Sequence, residues 1–258
     1  ERAKASLKGG LSAPGEFPAV AGAAQPFLAA LLARQFPSRR IWMVCADVRA
    51  QEQFAVEMAA WLPGIRLFPE LEVLAADAGL SDPETTAERL EILRELGGKG
   101  VVGPVVIHRA QWDHEVPAAA SLSRAVLRLV KGDTFSFEEA STRLGAAGYE
   151  RTTQVGVRGQ FAIRGGIMDV FSWQAQVPVR IELDDEIVDS LRTFHFDTQV
   201  AIAECGETEI LAGNLRSRLV PLRHYIGSKD ILIEVRSDAE GDDPGGYQAG
   251  SFLLADAD

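Results

Sequence analysis

The chain has 258 residues, and its 26 Lys and Arg against 37 Asp and Glu give a formal charge of −11. This charge argues against a surface that clamps nucleic acid broadly, because phosphate binding needs dense Lys and Arg, although a local basic patch is compatible with it. The length suits one large domain or two modest ones. Cys45 and Cys205 lie far apart without ligand-spaced neighbours, which predicts no disulfide framework, no metal site and a cytoplasmic protein. No apolar run reaches the ~18 residues of a membrane helix.

Up to about residue 116, short apolar runs alternate with segments of helical period, which predicts an α/β domain with a largely parallel sheet. The predicted strands are continuous apolar runs at 41–45, 65–68 and 101–107. The first predicted helix is Ala- and Leu-rich, lies within 17–36, and has Pro26 in its first turn and Pro37 after its end. The second is capped by Asp47 and carries Phe54, Met58 and Trp61 on one face. The third begins at Asp82-Pro83, ends at Gly97-Gly98, and carries the apolar residues Ala87, Leu90, Leu93 and Leu96.

After about residue 116 the pattern becomes that of a small antiparallel β-rich domain with one helix. Ser136 and Glu139 form a capping box for that helix, which ends at Gly148. A later buried strand is predicted at 231–233, before a flexible linker at 241–246. The strands predicted within the β-rich region are separated by Gly, Pro and Asp-Asp turns and lie at 127–130, 161–163, 166–171, 179–183 and 187–196.

The segment 19–26 stands where a nucleotide-binding α/β domain would carry its phosphate loop, G-x-x-x-x-G-K-[ST]. Alanines occupy both glycine positions, Gly22 falls at a variable position, and Gln25 and Pro26 replace the lysine and the hydroxyl residue. Likewise, Glu234-Val235 replaces the Asp-Glu pair of a Walker B strand. Because the cation and the metal hydroxyl are missing, the sequence favours a relic without a cofactor over an active site.

No other catalytic arrangement is evident in the sequence. The histidines His108, His114, His195 and His224 lack metal spacing, and no Ser or Cys lies in a nucleophile-elbow pattern. His108 follows a strand and could act as a base, although a structural histidine is the simpler interpretation. The acidic run 184–186 is typical of a solvated turn. We therefore predict no catalytic residue and no metal.

The segment 151–180 is basic within an acidic chain. Arginine suits interfaces because its planar fork makes bidentate, partly desolvated contacts. The segment is therefore either a protein-binding face or a sheet with an aromatic core and solubilising arginines, and composition leaves both open. Its marked residues are Arg151, Arg158, Arg164 and Arg180, the single acid Asp169, and the aromatic residues Phe161, Phe171 and Trp173.

Longer runs in this region resemble a known family. They are GYERTTQV (148–155), GQFAIRGGIMDVF (159–171), PVRIELDDEI (178–187), SLR (190–192) and FDTQ (196–199), with FPELE (68–72) and ERL (88–90) upstream. Over most of residues 14–235 the chain resembles the module shared by the repair proteins UvrB and transcription-repair coupling factor. In that family an α/β domain is interrupted by a small inserted domain that contacts UvrA.

The resemblance implies a P-loop-NTPase-like parallel sheet domain, here with a degenerate nucleotide site, interrupted by a small β-rich α+β domain. The expected boundaries are 1–118 for the first segment of the α/β domain and 119–203 for the inserted UvrA-binding domain. Residues 204–258 would then form the return segment of the α/β domain and end in a flexible tail.

The degenerate P-loop and the absence of a tyrosine-rich hairpin indicate which branch of the family the chain resembles. Resemblance to UvrB would imply an intact P-loop and a tyrosine-rich hairpin that grips damaged DNA, whereas the interval 73–87 contains no tyrosine. The N-terminal region of transcription-repair coupling factor has both losses. The resemblance therefore implies a non-catalytic module of nucleotide excision repair. The whole protein would be an ATP-driven DNA translocase that reaches RNA polymerase and DNA through domains absent from this chain.

By position, the family's UvrA-contacting arginines correspond to Arg164 and Arg180. The hypothesis expects that changing either one to glutamate abolishes UvrA capture and leaves the melting temperature nearly unchanged. The alternatives are a UvrB-like ATP-dependent damage-binding protein and a degenerate relative that has lost its partner. The expected UvrA-binding residues are Arg151, Arg158, Arg164, Gly165, Gly166, Arg180 and Leu183. Some family members carry an aromatic residue near the position of Leu183. That aromatic residue is missing here, where the strand is one residue shorter by sequence.

Overall fold

A computed structural model of the chain describes residues 15–71, 82–98, 102–213, 215, 217–237 and 249–256, so the predicted linker at 241–246 lies outside the described residues. The strands are β1 (Gly15–Ala21), β2 (Ile41–Cys45), β3 (Arg66–Leu67), β4 (Val105–His108), β5 (Glu115–Pro117), β6 (Val126–Val130), β7 (Glu150–Arg151), β8 (Gln160–Arg164), β9 (Ile167–Phe171), β10 (Val179–Asp184), β11 (Ile187–Phe194), β12 (Ala201–Glu204), β13 (Glu207–Leu211), β14 (Leu219–Pro221), β15 (Ile231–Ser237) and β16 (Ala249–Asp256).

The helices are α1 (Gln25–Gln35), α2 (Val48–Ala59), α3 (Pro83–Gly97), α4 (Ala119–Ala125) and α5 (Phe137–Ala146), with 3-10 helices at Gly22–Ala24, Arg109–Asp113 and Leu222–Tyr225. Within the residues that the structure describes, none of these helices combines the length and the apolar character needed to cross a membrane.

The chain divides into two compact units. The first consists of the described parts of residues 1–70, 98–116 and 220–258, and the second of the described parts of residues 71–97 and 117–219. The second unit extends past residue 203, the boundary expected from the sequence, because β13 pairs with β6 inside it. It also includes α3, which contacts α4.

The first unit is built on a six-stranded sheet in the order β1-β16-β15-β2-β4-β3. Strands β15, β2, β4 and β3 run parallel, whereas β16 pairs antiparallel with β15 and β1. The predicted strand at 231–233 lies beside the strand at 41–45, with Ile233 opposite Met43. The prediction of a largely parallel sheet is therefore confirmed for this region.

The strands at the centre of this sheet are buried. All five residues of β2 are buried. Met43, Val106 and Ile233 belong to one core with Ala29 of α1 and Met58 of α2. Continuous apolar runs are what a strand with two covered faces requires, which is why these strands could be predicted from the sequence.

Helix α2 follows the prediction except at its end. The Asp47 carboxylate accepts a hydrogen bond from the Ala50 N–H at 2.8 Å, so the predicted cap is confirmed. Phe54 and Met58 are buried as predicted, but the prediction for Trp61 is wrong. The helix ends before Trp61, and this residue is 49% exposed because it has left the helical period.

The segment before α1 also differs from the prediction. Residues 15–21 form β1, and a 3-10 turn separates this strand from α1, which carries Pro26 in its first turn as predicted. The short run FPAVA at 17–21 has no period of its own that distinguishes strand from helix. Its strand conformation depends on pairing with β16, more than 200 residues later in the chain.

The second unit has the antiparallel β-rich fold that the sequence predicts. Its main sheet has the order β12-β11-β10-β9-β8-β7, in which β8 to β12 are antiparallel neighbours. Ser136 caps α5 by accepting a hydrogen bond from the Glu139 N–H, and Gly148 follows the helix with a φ of 84°.

One face of this sheet packs on α5. Phe161, Met168, Ile181 and Leu191, one from each strand from β8 to β11, share a buried core with Leu144 of α5. Because successive side chains of a strand point to opposite faces, the residues between them lie on the face directed away from α5. That second face carries charged residues beside a smaller buried apolar cluster of Val155, Ala162, Phe171 and Phe194.

Gly159, just before β8, leaves no room for a side chain. Its φ is 78°, and a Cβ built there would lie 2.2 Å from the Trp173 ring. We expect Gly159→Ala to lower the free energy of unfolding by more than about 2 kcal/mol in urea or thermal unfolding. Gly145→Ala is the matched control, since Gly145 lies in α5 with open space around it. Alanine there should raise stability by about 0.5–1 kcal/mol. A fully stable Gly159→Ala variant would contradict the packing of Trp173.

Candidate partner-binding site

The sheet face directed away from α5 carries a cluster of charged residues. Cross-strand pairing places Asp169 opposite Arg180, and Arg180 opposite Arg192. Glu182 lies two residues after Arg180 on β10, and Arg164 lies two residues after Ala162, the residue of β8 that is opposite Asp169. Both therefore lie on the same face as Asp169. We call the surface formed by Arg164, Asp169, Arg180, Glu182 and Arg192 the arginine face.

The carboxylate of Asp169 lies at the centre of this face and is almost completely buried. Its residue is 1% exposed. Arg180 binds it in a bidentate manner, with Nε donating to Oδ1 at 2.7 Å and Nη2 donating to Oδ2 at 2.9 Å. Arg164 donates from Nη2 to Oδ2 at 2.5 Å. One buried carboxylate on β9 therefore holds a guanidinium from each neighbouring strand.

The side chain of Arg180 is held on further sides. Its guanidinium carbon lies 4.5 Å from the centre of the buried Phe194 ring. Its Nη2 also donates to Oε1 of Gln199 at 3.3 Å. The hydrogen bond to Asp169 is the main cause that raises the pKa of Arg180 above its ordinary value. The residue thus stays charged and oriented in one direction.

Gln199 has an unusual backbone for a residue with a side chain. Its φ is 61°, in the left-handed region. Its side-chain amide donates to the Phe196 carbonyl at 2.7 Å while its oxygen accepts from Arg180. Non-glycine residues keep this conformation where their surroundings fix it, often at functional positions.

Arg192 belongs to the arginine face, although the sequence analysis did not single it out. Its Nη2 donates to Oε2 of Glu182 at 2.6 Å. Like charges directly opposite each other on neighbouring strands destabilise a sheet. Arg180 and Arg192 can lie opposite each other because Asp169 neutralises the charge of Arg180 and Glu182 neutralises the charge of Arg192. The period-2 alternation on both sides of the turn at 184–186 was the sequence signal that could have identified Arg192.

The predicted partner-binding arginines do not all lie together. Arg164 and Arg180 share the arginine face through Asp169. Arg151 is exposed at the end of β7, beside β8 at the edge of the sheet.

Arg158 is held by contacts within the second unit and does not join the arginine face. Nε donates to the Ala175 carbonyl at 2.8 Å, Nη1 to Glu84 at 2.7 Å and Nη2 to Gln176 at 2.9 Å. The residue is 9% exposed. The structure therefore places Arg158 apart from Arg164 and Arg180, and its contact with UvrA stays a prediction. Local composition does not reveal a partner that is 74 residues earlier in the chain.

The turn after Arg164 and the end of β10 meet. Gly165 has a φ of 57°, and the Gly166 carbonyl accepts a hydrogen bond from the Leu183 N–H at 3.0 Å. The register shifts between Glu182 and Leu183, where β11 has one additional residue, Asp189. Leu183 packs partly buried against the α5 side of the sheet, so it does not extend the arginine face.

In the first unit, His108 lies in a polar network rather than an open cleft. It is buried, and its Nε2 forms a hydrogen bond with the Glu70 carboxylate. Its backbone N–H donates to Oε1 of Gln111 at 3.2 Å, and the Gln111 amide donates to the Phe68 carbonyl at 2.9 Å. These contacts favour the structural interpretation of His108. Across the described residues, no group of three His, Cys, Asp or Glu side chains is arranged to hold a metal ion.

Arg180 and Arg164 differ in how strongly the fold depends on them. Arg180 donates two hydrogen bonds to Asp169 and its side chain is 21% exposed, whereas Arg164 donates one and its side chain is 49% exposed. We expect Arg180→Ala to cost about 3 kcal/mol of unfolding free energy, because it leaves the buried carboxylate poorly paired. Arg164→Ala should cost about 1 kcal/mol or less. Urea unfolding of both variants measures this difference.

This expectation changes the sequence-based one, in which both arginines could be replaced with little loss of stability. Equal stabilities of the two alanine variants would contradict the unequal roles assigned to Arg164 and Arg180.

Similarity to known proteins covers the arginine face and much of the remaining chain. The family model of the UvrB interaction domain matches residues 127–215. The transcription-repair-coupling factor of Bacillus subtilis is 28% identical over 188 residues, which cover 71% of this chain and 16% of that protein. The transcription-repair-coupling factor of Mycobacterium bovis is 30% identical over 216 residues, 80% of this chain and 17% of that protein.

The transcription-repair-coupling factor of Escherichia coli is 34% identical over 85 residues, 33% of this chain and 7% of that protein. The chain spans about one sixth of the length of the Bacillus and Mycobacterium relatives that it matches. These matches support the resemblance, drawn from the sequence motifs, to the module shared by UvrB and transcription-repair coupling factor. The chain is a relative of the transcription-repair-coupling factors and carries a UvrB interaction domain.

Proposed function

We propose that the second unit recruits the nucleotide excision repair protein UvrA through the arginine face. The observation that carries this proposal is the joint placement of Arg164 and Arg180. These are the two arginines to which the family resemblance assigns contact with UvrA, and both bind the same buried carboxylate on one sheet face.

The charges of the arginine face support a partner that presents carboxylates. Three guanidinium groups face two carboxylates, so this surface has a local positive charge within a chain of formal charge −11. Arg180 uses Nε and Nη2 toward Asp169, and no described residue accepts a hydrogen bond from its Nη1. The remaining donors can bind carboxylates of UvrA in charge-assisted hydrogen bonds, which are stronger than neutral ones.

The division of the chain supports the inserted-domain layout as part of the same proposal. The long segment 117–219 of the second unit is flanked on both sides by segments of the first unit, 98–116 and 220–258, and the shorter segment 71–97 of the second unit is likewise flanked by segments of the first. We take the first unit as the UvrB-like α/β domain and the second as the insertion that carries the UvrA site. RNA polymerase binding and DNA translocation would belong to parts of the relatives that this chain does not cover.

The proposal predicts that UvrA affinity depends on both arginines. Arg164→Ala removes one guanidinium, and Arg180→Lys keeps the positive charge beside Asp169 but removes the planar fork. Each variant should raise the dissociation constant for UvrA at least about tenfold, as expected when one member of an interfacial charge pair is lost. Calorimetry or surface binding with UvrA from the same organism measures the change at a temperature where all variants are folded.

Arg143→Ala is the control for this experiment. Arg143 is an exposed residue of α5, and α5 packs on the other face of the sheet. Its replacement should leave UvrA affinity unchanged. If Arg164→Ala and Arg180→Lys are folded and bind UvrA like the wild type, the arginine face is not the docking site and the proposal fails.

We further propose that the first unit is a nucleotide-binding fold without nucleotide chemistry. The strand β1, the turn at 22–24 and α1 follow one another as the strand, loop and helix of a P-loop do. Gln25 and Pro26 stand in place of the lysine and the hydroxyl, and both are buried at the start of α1. Glu234 at the end of the apolar run in β15 forms an ion pair with Arg109.

ATP titration tests this part of the proposal and separates it from a UvrB-like ATP-dependent activity. We expect no saturable binding below about 1 mM ATP and no hydrolysis, because no lysine and no metal hydroxyl stabilise the phosphates. A protein with an intact P-loop provides the positive control. Micromolar ATP binding that is lost when Gly22 is replaced would contradict the proposal and favour the UvrB-like alternative.

A further inference from the structure

We infer that Asp169 is a positioning residue of the UvrA site, whose buried carboxylate joins the guanidinium groups of Arg164 and Arg180 into one preformed unit. The inference rests on the proposed function of the arginine face. Asp169 is itself too buried to touch a partner, at 1% exposure. It would act only through the two arginines.

The strand order explains why one carboxylate can hold two arginines. β9 lies between β8 and β10, so Asp169 stands between the strands that carry Arg164 and Arg180. Arg180 occupies both carboxylate oxygens, and Arg164 shares Oδ2. Without the negative charge between them, the two guanidinium groups would repel each other across the strand that separates them.

The bidentate bond also determines which edge of Arg180 is left for a partner. Nε and Nη2 face Asp169, so the edge formed by Nη1 remains for another acceptor. Phe194 and Gln199 hold the same guanidinium from other directions. The left-handed backbone of Gln199, with a φ of 61°, is kept where this contact is made.

This arrangement lowers the entropy lost on binding. A free arginine side chain on a surface loses much of its rotamer freedom when a partner fixes it. Here the fold has already fixed Arg180, so binding is not opposed by that loss. Two other roles for Asp169 predict different effects of removing its charge. If Asp169 only forms a stabilising ion pair, its loss would lower stability and leave UvrA affinity unchanged. If Asp169 competes with UvrA for the arginines, its loss would strengthen UvrA binding.

Asp169→Asn is the variant that separates these roles, because it keeps the shape of the side chain and removes its charge. We expect UvrA affinity to fall at least about fivefold when the variant is measured well below its melting temperature. Glu207→Gln is the matched control: it also removes one negative charge from the second unit, but Glu207 pairs with Arg128 and does not touch the arginine face. Its affinity should equal that of the wild type.

A double-mutant cycle tests whether Asp169 acts through Arg180. In an Arg180→Lys background, Asp169→Asn should weaken binding by less than about twofold, since the fork that it positions is already gone. NMR of the Arg180 Nε–H gives a readout without partner: its exchange with water should be slow in the wild type and faster in Asp169→Asn.

Gln199→Gly keeps the inference testable if Asp169→Asn does not fold. Glycine suits the left-handed φ, and the change removes the contact to Arg180 together with the side-chain hydrogen bond to the Phe196 carbonyl, while Asp169 keeps its charge. UvrA affinity should fall about two- to threefold while the variant stays folded. Unchanged affinity in this folded variant would count against positioning.

Folded Asp169→Asn that binds UvrA as well as the wild type, or more tightly, would overturn the inference. That result is distinguishable from failure of the proposed function. If Arg164→Ala and Arg180→Lys lose affinity while Asp169→Asn keeps it, only the positioning role fails. If the arginine variants also bind like the wild type, the UvrA site itself has been assigned to the wrong surface.

Discussion

A carboxylate buried in a sheet needs compensating charge, and this requirement organises the second unit. Taking an ionised carboxylate out of water costs several kcal/mol unless cations and hydrogen-bond donors replace the solvent. Asp169 obtains both from Arg164 on β8 and Arg180 on β10. Arg192 lies opposite the positively charged Arg180, so it needs the carboxylate of Glu182 beside it to offset the repulsion. The arrangement of the charged face thus follows from the burial of one side chain.

The apolar face of the same sheet makes this charged face possible. Phe161, Met168 and Ile181 form the main core with α5, and a smaller buried cluster around Phe171 and Phe194 adds hydrophobic stabilisation on the outer face. The outer residues can then be charged, provided that they neutralise one another. The geometry of the arginine face is thus fixed by ion pairs, while the apolar clusters stabilise the fold.

The sequence predicted those features that depend on local pattern. The strands at 41–45 and 231–233 were identifiable from continuous apolar runs, and the placement of Arg164 and Arg180 on one face agrees with the motifs that they share with a known family. What the sequence did not reveal depends on contacts between distant residues. The pairing of β1 with β16 and the capture of Arg158 by Glu84 leave no trace in local composition. The role of Asp169 needs the strand order and register.

The two units place different demands on their residues. Nucleotide chemistry requires particular side chains at positions 25 and 26, yet the core of the first unit requires only that these side chains fit, and Gln25 and Pro26 are buried there. The sheet of the first unit can therefore be stable without phosphate-binding side chains at these positions. The arginine face of the second unit tolerates substitution less well, because Arg180 is bound at the same time by Asp169, Phe194 and Gln199. Loss of that arginine would disturb both the surface and the buried charge beneath it, so stability itself favours retention of the arginine face.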